Sequence, residues 1–173
     1  MHVRTGMSTK YLSKDFMNLV RDCVDKAKDE EMLAWLYDED RWPSGAAGGL
    51  VTKDEKYRAR TLVFTTQIEG DSFSAGNCSR SNGDRSGNDT LLACYDVVLD
   101  EDGYLESYKR IDENDEVQGT KWYALLNIYG PNSWHNDQTY VDTLNKDAIN
   151  RFIEVTHERY KKVIGEHFGG IVP

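Results

Sequence analysis

Apolar positions recur at helical spacing near both ends of the chain and give way to strand-like runs between them. At the first end, Phe16, Leu19, Val20, Cys23, Val24 and Ala27 fall on one stripe, with Lys14, Asn18, Arg21, Asp22, Asp25 and Lys28 off it. Ser13 is placed as the N-cap, Asp15 lies in the first turn, and Leu12 is positioned to staple against Met17. The spacing predicts a helix that ends near Asp29-Glu30-Glu31. The short run Met32–Leu36 then predicts a buried strand reaching Tyr37. At the other end, Asn145 caps a second predicted helix, with Leu144 set to staple to Ile149. Its inner stripe is Ile149, Phe152, Ile153, Thr156, Tyr160, Val163 and Ile164, and Gly165 stops it. Residues 168–173 resemble the approach to a further strand.

The middle changes period. Thr61–Ile68, Leu91–Leu99 and Tyr104–Ile111 are rich in β-branched and apolar residues, and Asp100-Glu101-Asp102-Gly103 carries the Asp-Gly signal of a hairpin. Ser72–Thr90, rich in Ser, Gly, Asn and Asp, predicts a long loop. It has no GxxxxGK[ST] phosphate loop. Asp84, Asn88 and Asp89 lack EF-hand spacing, so solvation explains them better than calcium. Trp122–Tyr129 returns to a buried-strand pattern, ending at Gly130-Pro131 before the polar, aromatic loop 132–137. A helix, a short connection and a buried strand make the αβ half of a βαβ unit, so the expected class is α/β.

In such folds ligands bind beyond the carboxyl ends of strands. Tyr37-Asp38-Glu39-Asp40-Arg41-Trp42-Pro43-Ser44-Gly45-Ala46-Ala47-Gly48-Gly49 has that composition: acids at the end of a predicted strand, an aromatic, and a small-residue loop able to approach a ligand. The same residues also suit a solvated surface loop, and Trp-Pro-Ser-Gly is good turn chemistry. No GxSxG is present, and Ser44 before Gly45 fits a turn better than a nucleophile.

Leu36–Val51, LYDEDRWPSGAAGGLV, resembles a segment of the large bacterial glycoside hydrolases of the α-L-rhamnosidase-like type. His2-Val3-Arg4-Thr5-Gly6, Tyr11-Leu12-Ser13 and Thr139-Tyr140-Val141-Asp142-Thr143-Leu144-Asn145 resemble others in the same order. The resemblance implies part of a (β/α)8 TIM barrel. A complete barrel takes about 250 residues, so the expectation is a single partial barrel domain over 1–173 with 61–120 as an inserted antiparallel β-hairpin region. It also implies a carbohydrate substrate, a larger parent polypeptide, and a glycosidase fragment inactive alone. Glycoside hydrolysis needs two carboxyl groups. Glu39 and Asp38 are the catalytic candidates, Glu39 first because strand alternation would set it beside Trp35 and Tyr37. His2, Arg4, Tyr37, Trp42, Trp134 and His135 are the substrate-binding candidates, each at or beyond a predicted strand end. The alternative is a non-catalytic carbohydrate-binding or interaction domain.

Composition narrows the partners. With 39% hydrophobic and 29% charged residues the chain is neither disordered nor membrane-like, and a net charge of −9 opposes polyanion binding, so nucleic acid is not expected. No run reaches the roughly 20 apolar residues of a membrane span, and the first residues lack a signal-peptide core. Cys23, Cys78 and Cys94 show no CxxC spacing; Cys23, on the apolar stripe, reads as a core residue. No metal and no cofactor are expected. Asn77 and Asn88 match the glycosylation pattern, relevant only in a secreted eukaryotic setting.

Overall fold

The computed structural model describes residues 2–3, 7–67 and 89–173, and of Trp134 only the backbone. The long loop predicted over 72–90 lies almost wholly outside the described residues, as do Arg4, Cys78 and the calcium candidates Asp84 and Asn88. The chain divides into two compact units, residues 1–59 with 131–173, and residues 60–130.

The first unit is helical. Helix α1, Lys14–Asp29, begins where Ser13 Oγ accepts from Phe16 N–H at 3.2 Å. Its buried face is Phe16, Met17, Val20 and Val24. Cys23 and Leu19 are exposed, which corrects the core reading of Cys23. The predicted stripe was one position wide of the true one, and Met17 takes the place of Leu19. Helix α2, Lys146–Val155, is capped by Asn145, whose Oδ1 accepts from Asp147 N–H at 3.0 Å. Leu144 is almost fully exposed, so the staple predicted there is absent. Thr156 then breaks the ladder, and α3 runs His157–Ile164. The core of the unit joins Leu12, Val20 and Val24 to Val51, Val141, Phe152 and Ile164.

Met32–Tyr37 is irregular and pairs with no strand among the described residues. Its backbone is tied down piecemeal: Met32 N–H donates to Ala27 O at 2.8 Å and Ala34 N–H to Ile171 O at 2.8 Å. The run is not buried either, since Met32, Leu33 and Trp35 are exposed while Ala34 is inside. A run of five apolar residues carries no periodicity that separates a strand from an irregular segment.

The second unit is one antiparallel sheet of β1, Arg60–Thr65; β2, Thr90–Leu99; β3, Leu105–Ile111; and β4, Thr120–Ile128, in the order β1-β4-β2-β3. This overturns the partial (β/α)8 barrel. Among the described residues every strand pair is antiparallel and no helix links two strands. The expected barrel strand over 122–129 is β4, flanked on both sides by β1 and β2. A short apolar run does not by itself give the direction of its neighbours, so the pattern that suggested a parallel barrel strand is also met by a central strand of this sheet. Residues 100–103 form the β2–β3 hairpin, with Asp100 Oδ1 accepting from Asp102 N–H at 3.0 Å and Tyr104 N–H at 2.8 Å.

The β3–β4 connection is held by Asp96, which accepts from Gln118 N–H at 2.9 Å and Gly119 N–H at 2.8 Å. These two donors hold its carboxyl below the usual 3.8. A depressed folded-state pKa adds stability above the unfolded value and loses it as pH falls through the folded one. Asp96→Asn is therefore expected to flatten the acid side of the stability profile below about pH 4, as measured by thermal unfolding from pH 2 to 7. A profile that keeps its full slope in the variant contradicts this assignment.

Candidate functional site

Residues 38–49 form a loop closed around Glu39. Its side chain is 1% exposed. Oε1 accepts from Asp40 N–H at 2.7 Å and Gly48 N–H at 2.7 Å. Oε2 accepts from Gly45 N–H at 2.9 Å and Ala47 N–H at 2.7 Å. Such convergence of amides requires left-handed backbone, and φ is positive at Gly45, Ala47, Gly48 and Gly49. The small-residue loop is an anion-binding nest. Its anion is the chain's own carboxylate. Burial, the largest influence, pushes Glu39 above the ordinary carboxylate range, and the amides of Asp40, Gly48, Ala47 and Gly45 pull it back.

Asp38 points elsewhere. Its Oδ1 accepts from Ser44 Oγ–H at 2.6 Å, and its Oδ2 lies 3.3 Å from His157 Nε2, all partly exposed. His157 Nδ1 lies 3.0 Å from Thr156 Oγ1. That hydroxyl donates to Phe152 O, so it offers the ring only lone pairs. A hydroxyl nucleophile is activated when an imidazole stands between it and a carboxylate. Here the carboxylate stands between the other two, and His157 does not reach Ser44 as a base. Asp40 Oδ2 accepts from Asn136 Nδ2 and Gln138 Nε2, both at 3.4 Å, and Asn136 Oδ1 accepts from Arg41 at 3.2 Å. The three adjacent acids thus take three separate sets of structural partners.

Of the other candidates, His2 stacks on Tyr37 with ring centroids 4.2 Å apart. His135 stacks on Tyr140 at 5.4 Å, and burial holds its imidazole below the usual 6.5. Trp42 is exposed. Tyr37 O accepts from Tyr160 Oη–H at 3.1 Å, and burial pushes the Tyr160 phenol up to about 12. Sequence reasoning did not find Ser44, His157, Asn136 or Gln138 as partners of the acids, because they lie far along the chain or read as turn and helix-end residues. Among the described residues no group of three His, Cys, Asp or Glu could hold a metal ion, and no helix is long and apolar enough to cross a membrane.

A second surface belongs to the sheet. Strand alternation places Phe64, Tyr95, Val97, Tyr108 and Trp122 on one face. Phe64 and Tyr95 have ring centroids 6.2 Å apart, and Tyr95 and Tyr108 6.3 Å. Ala124, opposite Phe64 on the intervening strand, is too short to separate the rings. With Leu99 and Leu105 these side chains line an almost wholly apolar groove of about 430 Å³. Phe64 remains 52% exposed, Leu105 58% and Tyr108 67%. This face was not among the surfaces expected from the sequence. The signal was the alternation of Tyr95, Val97 and Leu99 with Cys94, Asp96 and Val98, which needed the register of β4 to become a surface.

No family model, no curated protein and no solved structure matches the chain.

Glu39→Gln exchanges an acceptor of four amides for a group that accepts fewer and donates into the nest. We expect a loss of about 3 kcal/mol in urea unfolding, and faster amide exchange at Gly45, Ala47 and Gly48. An added Cβ at Gly45 would lie 2.2 Å from Val141 Cγ1. Gly45→Ala is therefore expected to destabilise by about 2 kcal/mol by the same measurement. Either variant unfolding at the wild-type midpoint would remove the nest from its place in the architecture.

Proposed function

We propose that the chain is a non-catalytic interaction domain whose working surface is the apolar face of its antiparallel sheet. The observation that carries this reading is the aromatic row Phe64–Tyr95–Tyr108, exposed at both ends and half-buried at Tyr95, with the groove beside it. Soluble proteins rarely leave a contiguous aromatic surface open unless it meets a partner. A sugar-binding groove sets hydrogen-bonding groups around its aromatic platform, whereas this one is lined almost wholly by apolar atoms. A protein surface is the better fit.

The glycosidase reading loses its first candidate, because both Glu39 oxygens are occupied and the side chain is shut off from solvent. It would have to run through Asp38, which is already shared between Ser44 and His157. The resemblance to α-L-rhamnosidase-like enzymes supports it only through the segments quoted above.

The two readings separate on two measurements. A panel of aryl glycosides, α-L-rhamnoside included, is expected to show no turnover; turnover abolished by Asp38→Asn would return the chain to the hydrolases. Amphipathic peptides carrying an apolar face, of cationic, neutral and anionic kinds, are expected to yield at least one binder by fluorescence anisotropy. The double variant Leu105→Ser/Tyr108→Ser should abolish that binding while shifting unfolding by less than about 1 kcal/mol, since both side chains are already largely exposed. Unchanged binding by the double variant would sink the docking face.

A further inference from the structure

The charge around this face selects among such partners, an inference that rests on the interaction-domain reading. The apolar groove runs out at the β2–β3 hairpin, where Leu99 and Leu105 flank Asp100, Glu101 and Asp102. Glu106 projects from β3 on the same side as Tyr108 by strand alternation, and all four acids are exposed. From residue 89 to residue 130 acids outnumber Lys and Arg. Among the described residues of the sheet, the opposing charges on this side are Arg110, opposite Tyr95 and donating to Leu92 O at 3.4 Å, and Arg60, at the start of β1; both lie away from the hairpin. The aromatic row runs across the strands from β1 through β2 to β3, and a groove in that direction matches the apolar stripe of a helix laid over the sheet.

We propose that the sheet face docks a cationic amphipathic helix, its apolar stripe on Phe64, Tyr95 and Tyr108 and its Lys or Arg residues over Glu101, Asp102 and Glu106. A second copy of the chain would bring the same acids against themselves, and an anionic bilayer would be repelled by them. The acids are exposed, so their effect falls mainly on selectivity and on association rate, and salt screens it.

The test uses the full chain and three fluorescein-labelled 18-residue peptides of one helical apolar pattern, with Leu on the apolar face and Lys, Gln or Glu on the other. The Lys peptide is expected to bind at least about tenfold tighter than the Gln peptide at low salt, and the Glu peptide weakest. Raising salt from 50 to 500 mM should narrow the gap. Glu101→Gln/Asp102→Asn/Glu106→Gln should erase most of the preference and leave binding of the Gln peptide unchanged; Asp100 is spared because it holds the hairpin. Equal binding of the three peptides, or preference for the Glu peptide, overturns this proposal and leaves the docking face standing. Binding to phosphatidylglycerol vesicles in preference to the Lys peptide, or concentration-dependent dimers that exclude the peptide, also overturns it. Failure of every peptide to bind overturns this proposal and the interaction-domain reading together.

Discussion

The Glu39 carboxylate inside its ring of backbone amides is the constraint on which the helical unit depends. Gly45, Ala47 and Gly48 turn their N–H groups inward, and such groups, buried without an acceptor, would each be costly. The carboxylate gives these amides their acceptor, and close packing of the loop accompanies it. Gly45 meets Val141 and Gly48 meets Tyr11 so closely that neither position has room for a side chain. Ala47 and Val51 enter the core, where Val141 and Tyr11 also lie. The loop is thereby a joint between the segment leading into α1 and the segment leading into α2.

This arrangement also explains why three consecutive acids do not form one acidic site. The three side chains part company: Glu39 enters the loop, Asp38 meets Ser44 and His157, and Asp40 meets Asn136 and Gln138. Each carboxylate fixes a different piece of chain to the same short stretch. A segment that looks catalytic by composition is organised as a structural hub.

The sheet unit follows different rules. Its central strand β4 pairs on both sides, and β1 and β3 are its edges. One side of the sheet carries the aromatic row, and the buried Cys94 and Leu125 alternate to the other. A four-residue turn held by Asp100 and a pair of amides held by Asp96 fix the β2–β3 and β3–β4 connections. These two carboxylate clamps hold β2 against β3 and the approach to β4, and pairing of β1 with β4 adds Phe64 to Tyr95 and Tyr108.

Features with local causes are legible in the residues alone. Ser13 and Asn145 were legible as caps because a cap is a bond within three residues, and α1 was legible because its stripe repeats over sixteen residues. The β2–β3 hairpin was legible because Asp-Gly turns are made by the turn residues themselves. The sequence also marked residues 37–49 as unusual. It did not determine what they do, since whether a carboxylate faces substrate or its own backbone depends on where Gly45, Ala47 and Gly48 turn. Strand direction was likewise beyond it, because an apolar run reads the same in a parallel barrel and in the middle of an antiparallel sheet. Only tertiary pairing chose between them, and only that pairing gathered side chains from three separated strands into one exposed face.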